Sequence, residues 1–300
     1  MKIIECVPNF SEGCDSRKLE AIAHAISAIS GVKLLDMHMD ADHNRSVFTF
    51  LGAPNAVFEA AMAGCGKAVE LIDMRTHKGI HPRIGAVDVA PFIPMGDAQM
   101  KDAVAVAQRF GCAFGERYRL PVYFYGEAAL QSNRRELPEV RRGGYEGLSR
   151  KLCDPRWTPD AGHAVFNEKS GAVAVGARLP LIAFNINLNT DDVGVAKDIA
   201  SAIRQSGGGL PCVRAMGVYL KSRRIAQVSM NLTDYQVTPV RVVYERAQEL
   251  AKQRHVDILE SELVGLIPRK AMEGLTDKDL KLSGFSEQKF LESYFPLAGQ

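Results

Sequence analysis

The sequence predicts an α/β (α+β) protein built from two units that share one order of elements, βαββαβ. The chain has 300 residues, whereas a single domain typically has about 100–150. Short apolar runs typical of buried strands alternate with segments whose apolar residues recur at helical spacing. This order occurs twice along the chain. Each unit is therefore expected to be a ferredoxin-like sheet covered by helices on one face, with a free face that can close on a ligand.

The elements of the first unit follow from apolar spacing and from residues that start or end helices. Strands are predicted at residues 2–7, 32–36, 46–51, 84–93 and 121–125. A helix follows Asp15, whose carboxylate can cap it, and ends before Gly31. Pro54 begins a second helix that extends to about Ile72. Asp97 is predicted to cap a third helix.

The second unit repeats this order after a long connection. Strands are predicted at residues 181–188, 212–220, 225–232 and 256–266, and helices at 191–205 and 239–253. The connection, residues 131–170, is rich in Arg and Gly, lacks periodicity and holds Trp157. Irregular segments of this length in compact proteins are often functional. The boundary is placed near Gly176, which gives units of residues 1–176 and 177–300.

The near balance of charges excludes two common kinds of partner. There are 37 Lys and Arg against 35 Asp and Glu, a net charge of +2, so neither nucleic acid nor an anionic membrane is expected to bind. No apolar run approaches the roughly 20 residues of a membrane-spanning helix, and no signal peptide is recognisable. The six widely spaced cysteines indicate free buried thiols in a reducing cytoplasm.

Two histidines stand out in the segment THKGIHPR, between a predicted helix and a predicted strand. His77 and His81 have the four-residue spacing of zinc ligands on a helix. Gly79 and Pro82 break helical geometry, however, and the acidic residue of the zinc motif is missing. A loop here can hold a histidine and Arg83 at the mouth of a cleft. His81 is therefore predicted to be catalytic, and His77 structural.

A second polar cluster, DMHMDADHNR, joins two predicted strands. Calcium binding is not favoured, because the EF-hand pattern lacks its sixth-position Gly and twelfth-position Glu. A carboxylate that orients an imidazole or a substrate amine is favoured over a solvated turn. The candidate carboxylates are Asp36, Asp40 and Asp42. A metallohydrolase would instead use His38, Asp40, Asp42 and His43 as ligands, and this is kept as a third alternative.

Other polar segments carry weaker signals. Asn9 directly follows the first predicted strand, at the carboxyl end where α/β sites gather. A basic run in the connection is expected to be mainly solvated surface, with binding of an anionic tail as the alternative. It consists of Arg134, Arg135, Arg141, Arg142, Arg150 and Lys151. Glycine-rich stretches at 171–176 and 207–209 lack the other residues of phosphate loops, so no nucleotide site is predicted.

Long motifs resemble the glutamate formimidoyltransferase family, which also forms the amino-terminal part of formiminotransferase-cyclodeaminase. They are ECVPNFSEG, LLD followed by DADHNRSVFTF, HKGIHPRIGAVDVAPFIP, PVYFYGEAA, GARLPLIAFNINL, AQVSMNL and ELVGLIP. The resemblance implies two ferredoxin-like subdomains that face each other around a folate-binding ligand tunnel, and a homodimer. It also implies formimino transfer between N-formimidoyl-L-glutamate and tetrahydrofolate in histidine degradation. Tetrahydrofolate is then a co-substrate, and no metal is expected.

The resemblance also places functional residues on this chain. The family's catalytic histidine matches His81, and its folate-binding stretch matches residues 162–171. The residues of this stretch are Gly162, His163, Ala164, Val165, Phe166, Asn167, Glu168, Lys169, Ser170 and Gly171. A histidine can both remove a proton from an amine nucleophile and protonate a nitrogen leaving group near neutral pH. We therefore assign acid/base catalysis to His81.

The remaining roles are assigned by chemical type. One of the three aspartates, Asp36, Asp40 or Asp42, is expected to orient the imidazole or the amine. Arg45 and Arg83 are expected to bind the carboxylates of glutamate, because a guanidinium and a carboxylate pair bidentately. Asn9 is expected to hydrogen-bond the amidine or the pterin.

Two alternative functions remain open besides the metallohydrolase. A formyltransferase that uses 5-formyltetrahydrofolate or N-formylglutamate differs only by O in place of NH in the transferred group. A folate-binding module without activity belongs to a different class, and the intact His-Pro-Arg sequence at residues 81–83 argues against it.

Overall fold

The computed structural model describes residues 1–294, and the chain divides into one compact unit, Met1–Arg178, and a second that begins at Leu179. The elements of the first unit are β1 (Lys2–Cys6), β2 (Asn9–Phe10), α1 (Ser16–Ser27), β3 (Val32–Asp40), β4 (Arg45–Gly52), α2 (Pro54–Leu71), β5 (Val87–Gly96), α3 (Met100–Tyr118), β6 (Pro121–Gly126), α4 (Leu137–Arg141), α5 (Leu148–Leu152), β7 (Ala161–Gly162) and β8 (Val173–Ala177). Those of the second are β9 (Ile182–Leu188), α6 (Val193–Ile203), β10 (Val213–Leu220), β11 (Ile225–Leu232), α7 (Val240–Lys252) and β12 (Ile258–Val264).

The sheet of the first unit has the order β3-β4-β1/β2-β5-β8-β6-β7. Strands β1 and β2 are successive parts of one path, because both pair antiparallel with β4 and with β5. Strand β8 runs parallel to β5 and to β6. The path from β1 to β5 has the predicted βαββαβ order, and the rest of the unit extends the sheet beyond β5. The mixed α/β fold is therefore confirmed.

The second unit forms a sheet with the order β10-β11-β9-β12, in which neighbouring strands are antiparallel. Its core joins apolar side chains of the sheet, such as Phe184 and Val228, to those of α6 and α7, such as Ile199 and Val243. This unit confirms the predicted order of elements. Within residues 1–294, no helix combines the length and apolar character needed to cross a membrane.

Helix starts follow local chemistry, with one correction. The carboxylate of Asp15 accepts the backbone N–H of Arg17 at 3.1 Å and caps α1, as predicted. Pro54 is the first residue of α2, also as predicted. The prediction that Asp97 caps α3 is wrong. Gln99 is the capping residue, and its backbone N–H donates to the Asp102 carboxylate at 2.8 Å.

Two strands differ from their predictions because pairing with strands distant in sequence determines where they begin and end. The polar segment after Asp36 continues as strand to Asp40, since it pairs along β4 up to the register Asp40 with Arg45. Strand β8 was not predicted at all, because its small residues and flanking glycines resemble a loop. It is nevertheless buried between β5 and β6. The connection is also less irregular than predicted, since it contains α4, α5 and β7.

The cysteines are only partly where they were expected. Cys6 and Cys65 are buried, as predicted. Three others are exposed, namely Cys14, Cys112 and Cys153. The prediction of buried thiols is wrong for these three, because their positions in turns or on the outer side of a helix cannot be read from cysteine spacing.

The connection is held in place by Arg134, which is completely buried. Its guanidinium pairs with Asp160 at 2.6 Å and donates to the carbonyl oxygens of Arg156 and Thr158 at 3.0 and 2.8 Å. The guanidinium also lies over the ring of Trp157, 5.5 Å from its centroid. The expectation that this basic run is solvated surface is therefore wrong for Arg134, because its charge is matched inside the fold. It is also wrong for Arg141, which is largely buried in an ion pair with Asp88.

Replacing Arg134 by Met is predicted to lower the free energy of unfolding by about 3–5 kcal/mol, because the Asp160 carboxylate stays buried without its partner. Urea unfolding followed by the fluorescence of Trp157 measures this change. The matched control is Arg135→Met, since Arg135 makes a solvent-exposed ion pair with Glu127 and is expected to contribute little. Equal destabilisation by the two substitutions would contradict the assignment.

Candidate active site

The two polar segments singled out in the sequence pack against each other. The side-chain amide of Asn44, in the turn after β3, donates to the carbonyl oxygen of Lys78 at 2.8 Å. The backbone carbonyl of Asn44 is 2.9 Å from Nε2 of His77. Gly79 makes this approach possible, because a Cβ at that position would lie 2.5 Å from the carbonyl oxygen of His43. The loop that carries His81 therefore lies on the β3–β4 turn.

Both ring nitrogens of His81 have partners. Nδ1 lies 2.7 Å from the carbonyl oxygen of Pro82, and Nε2 lies 3.1 Å from Nη1 of Arg45. A guanidinium can only donate and a carbonyl can only accept. The hydrogen bonds therefore define a neutral imidazole that carries its proton on Nδ1. The pKa of His81 lies well below 6.5, first because of burial and then because of the positive charges of Arg45 and Arg141.

Arg45, the first residue of β4, provides the charge beside this imidazole. Burial lowers the pKa of Arg45 to about 10, with a smaller contribution from the charge of Arg141, so the guanidinium is still charged at neutral pH. Its Nε atom is buried and, within residues 1–294, makes no hydrogen bond. A buried polar atom left in this state typically costs about 1–3 kcal/mol.

His43 lies on the other side of the same imidazole. It is 6% exposed, and its ring centroid lies 5.9 Å from that of His81. Like Nε of Arg45, its Nε2 atom is buried without a hydrogen bond to any described residue. Two buried polar atoms without a hydrogen-bond partner among the described residues therefore lie beside one imidazole.

A buried ion pair that the sequence did not reveal, between Asp88 and Arg141, supports the loop that carries His81. Asp88 on β5 is 1% exposed and accepts the backbone N–H of Ile84 at 3.1 Å. The same carboxylate binds Nη2 of Arg141 at 2.5 Å and its Nε at 3.2 Å. This pair fixes the end of the His81 loop and holds the charge of Arg141 near the imidazole. The sequence signal for this ion pair was Asp88 itself, the one carboxylate in the apolar sequence of β5. A charge in a buried strand needs a partner of opposite charge.

Arg83 is bound within the fold. Its Nη1 and Nη2 atoms contact the Glu146 carboxylate at 3.0 and 2.6 Å, and its Nε donates to Nδ1 of His77 at 3.1 Å. The hydrogen bond from Arg83 holds the pKa of Glu146 below its usual value. His77 is thus clamped between a guanidinium and a backbone carbonyl, and burial lowers its pKa. These contacts are those of a structural histidine.

The other candidates lie around this centre. Asp40 accepts the backbone N–H of His43 at 2.8 Å and so shapes the turn. Asp36 lies on β3 opposite Thr49, and Asp42 lies in the turn. The imidazole of His81 is oriented by a carbonyl and a guanidinium, which fill the role considered for an aspartate. Asn9 is 5% exposed and donates to the carbonyl oxygen of Val7 at 2.8 Å.

Residues 162–171 run from β7 to the His81 loop. Gly171 forms an antiparallel bridge with Gly85, and the backbone N–H of Ala86 donates to the carbonyl oxygen of Ser170 at 2.9 Å. The ring of Phe166 packs against Tyr145 at 5.5 Å between centroids, while Val165 is 69% exposed. The structure therefore brings the carboxyl-terminal half of this stretch next to the loop that carries His81.

Within the part of the chain that the structure describes, no group of three or more His, Cys, Asp or Glu is arranged to hold a metal ion. The chemistry of the site lies in its imidazoles and guanidiniums. A neutral imidazole can accept a proton, and Arg45 and Arg141 provide positive charge that attracts anionic groups. The fold and the site thus define an α/β protein in which a neutral imidazole lies beside buried guanidinium groups.

Comparison with known proteins specifies this class further. The formiminotransferase domain, N-terminal subdomain, matches residues 3–178, and the formiminotransferase domain matches residues 183–279. A glutamate formimidoyltransferase of Thermoplasma acidophilum is 44% identical over 294 residues, which cover 97% of each chain. One of Streptococcus pyogenes serotype M1 is 39% identical over 288 residues, which cover 96% of each chain. The chain belongs to the formiminotransferase family.

The chain is also similar to one part of a longer relative. The formimidoyltransferase-cyclodeaminase of Gallus gallus is 47% identical over 277 residues, which cover 90% of this chain and 51% of that protein. This chain therefore matches about half of that relative.

Replacing Arg45 by Met is predicted to raise the pKa of His81 toward its ordinary value of 6.5, because the substitution removes both a neighbouring positive charge and the donor at Nε2. Titration of the His81 ring by NMR measures the shift. Arg17→Met on the exposed side of α1 is the control and should leave this pKa unchanged. A His81 pKa that stays low in Arg45→Met would show that Arg45 does not set it and that burial and the charge of Arg141 do.

Proposed function

We propose that the chain is a glutamate formimidoyltransferase. It moves the formimino group between N-formimidoyl-L-glutamate and tetrahydrofolate, giving 5-formimidoyltetrahydrofolate and L-glutamate, a step in histidine degradation. Two full-length relatives named glutamate formimidoyltransferase support this proposal. The observation that carries it is the neutral imidazole of His81 beside the charge of Arg45.

The reaction needs two proton transfers that one imidazole can assist. N5 of tetrahydrofolate attacks the amidine carbon, a tetrahedral adduct forms, and the bond from that carbon to the glutamate nitrogen breaks. N5 loses one proton, and the leaving nitrogen gains one. Because the pKa of His81 lies well below 6.5, the ring is neutral at pH 7 and able to accept a proton. Once protonated beside Arg45 it is a strong acid, which favours release of that proton.

The carboxylates of glutamate are assigned to Arg45 and Arg83. Nε of Arg45 is a buried donor without a bonded partner among residues 1–294. Arg83 already holds a carboxylate, that of Glu146, whose side chain is 66% exposed. A substrate carboxylate is the same chemical group and binds the Arg83 guanidinium by replacing Glu146. Asn9 is assigned to the amidine or the pterin.

The three aspartates of the β3–β4 region are assigned to the substrate amine. The Asp40 carboxylate accepts the backbone N–H of His43 in the turn. The partners of the His81 ring are already supplied by Pro82 and Arg45. An amine that approaches this turn meets the carboxylate of Asp40 or Asp42, and one that approaches further along β3 meets that of Asp36.

Tetrahydrofolate is assigned to residues 162–171 as co-substrate. The paired rings of Phe166 and Tyr145 offer an aromatic surface for a pterin, and Val165 adds exposed apolar area. The backbone pairing of Gly171 with Gly85 keeps this surface beside the His81 loop. These residues fit a flat, partly apolar ligand.

The proposal also includes assembly and compartment. We infer a homodimer in the cytoplasm that acts on small molecules, without a metal ion, nucleic acid or membrane as partner. The net charge of +2 supports the absence of a polyanionic partner.

His81→Asn is predicted to lower kcat at least about a hundredfold, because general acid/base assistance contributes about 10²- to 10⁴-fold. The assay measures 5-formimidoyltetrahydrofolate formed from N-formimidoyl-L-glutamate and tetrahydrofolate. His24→Asn, on the exposed side of α1, is the matched control. N-formyl-L-glutamate serves as the rival donor.

Wild-type protein that uses only the formyl donor would contradict formimino transfer and favour a formyltransferase. Wild-type protein that binds tetrahydrofolate in equilibrium dialysis but uses neither donor would favour a binding module. Full activity of His81→Asn would remove His81 from the mechanism.

A further inference from the structure

The contacts of His81 raise a geometric difficulty for a mechanism with a single imidazole. The ring is held at Nδ1 by the carbonyl oxygen of Pro82, 2.7 Å away, and at Nε2 by Arg45, 3.1 Å away. The reaction must take a proton from one nitrogen and give a proton to another nitrogen on the same carbon. A ring fixed at both ends cannot turn freely from one nitrogen to the other. A second group that faces the other nitrogen removes this need.

His43 is placed to be that group. Its backbone is fixed on both sides, since its N–H donates to the Asp40 carboxylate at 2.8 Å and its carbonyl oxygen lies against Gly79. Its ring is 6% exposed and lies 5.9 Å from the ring of His81, measured between centroids. The Nε2 atom is buried and, among the described residues, has no hydrogen-bond partner.

The two rings lie close enough together to serve one reacting centre. The imidazoles make no hydrogen bond to each other, because the His81 nitrogens are bonded elsewhere and Nε2 of His43 is unbonded. A general acid or base must come within about 2.6–3.2 Å of the atom that it serves. A small polar group that approaches the edges of both rings, rather than the space between them, can contact both.

We propose that His43 is a second proton-transferring residue of this site, whose Nε2 serves the leaving glutamate nitrogen while His81 serves N5. This inference rests on the proposed function. In the tetrahedral adduct, N5 takes the place of the Arg45 guanidinium at Nε2 of His81 and gives its proton to that atom. Protonated His43 gives its Nε2 proton to the glutamate nitrogen. The bond from carbon to the glutamate nitrogen then breaks, and its electron pair stays on that nitrogen. One proton then passes from His81 to His43 through water, which restores both rings.

The test compares His43→Gln and His43→Ala with His24→Gln in the formimino transfer assay. We expect kcat to fall at least about tenfold in both His43 variants, while KM for N-formimidoyl-L-glutamate changes less than about twofold. Added imidazole is expected to restore part of the activity of His43→Ala, since a small cavity next to the reacting centre can admit it. Circular dichroism and thermal unfolding confirm that the variants fold.

The outcomes separate this inference from the proposed function. A folded His43→Gln protein with more than half of the wild-type kcat would overturn the role of His43 and leave the proposed function intact. Loss of activity in His43→Ala that imidazole does not restore, together with a raised KM, would assign His43 to binding and overturn proton transfer. Wild-type protein inactive with the formimino donor would overturn both.

Discussion

The hydrogen bond from the Arg45 guanidinium to Nε2 of His81 is the interaction on which the site depends. Because a guanidinium can only donate, this bond requires an unprotonated Nε2 and so a neutral ring with its proton on Nδ1. The adjacent charge also makes the protonated ring a strong acid. A single contact therefore prepares one histidine to accept a proton and then to release it.

The fold makes this contact by closing one short loop onto one hairpin. Arg45 begins β4 in register with Asp40, so its side chain starts at a fixed point of the sheet. The loop reaches it because Gly79 leaves room for the hairpin backbone, and Asp88 fixes the loop's far end through the N–H of Ile84. Packing and strand pairing elsewhere in the unit thus offset the free-energy cost of the buried polar atoms that lack hydrogen bonds beside the imidazole.

Much of the fold was predictable because it depends on local patterns. Apolar periodicity located most strands and helices, and Asp15 and Pro54 marked helix starts. The position of His81 in a loop was predictable because Gly79 and Pro82 break helical geometry. Its contact with Arg45 was not, since it depends on how two segments pack. The pairing of Asp88 with Arg141 across 53 residues and the buried position of His43 have the same origin.

The most direct test of this account is the protonation state of His81 in the resting protein. Nitrogen-15 NMR of the imidazole at pH 7 distinguishes the two neutral tautomers from the cation. The account predicts a neutral ring with the proton on Nδ1, where it donates to the carbonyl oxygen of Pro82. A cationic ring, or a neutral ring with its proton on Nε2, would contradict the bond from Arg45 and with it the proposed acid/base role.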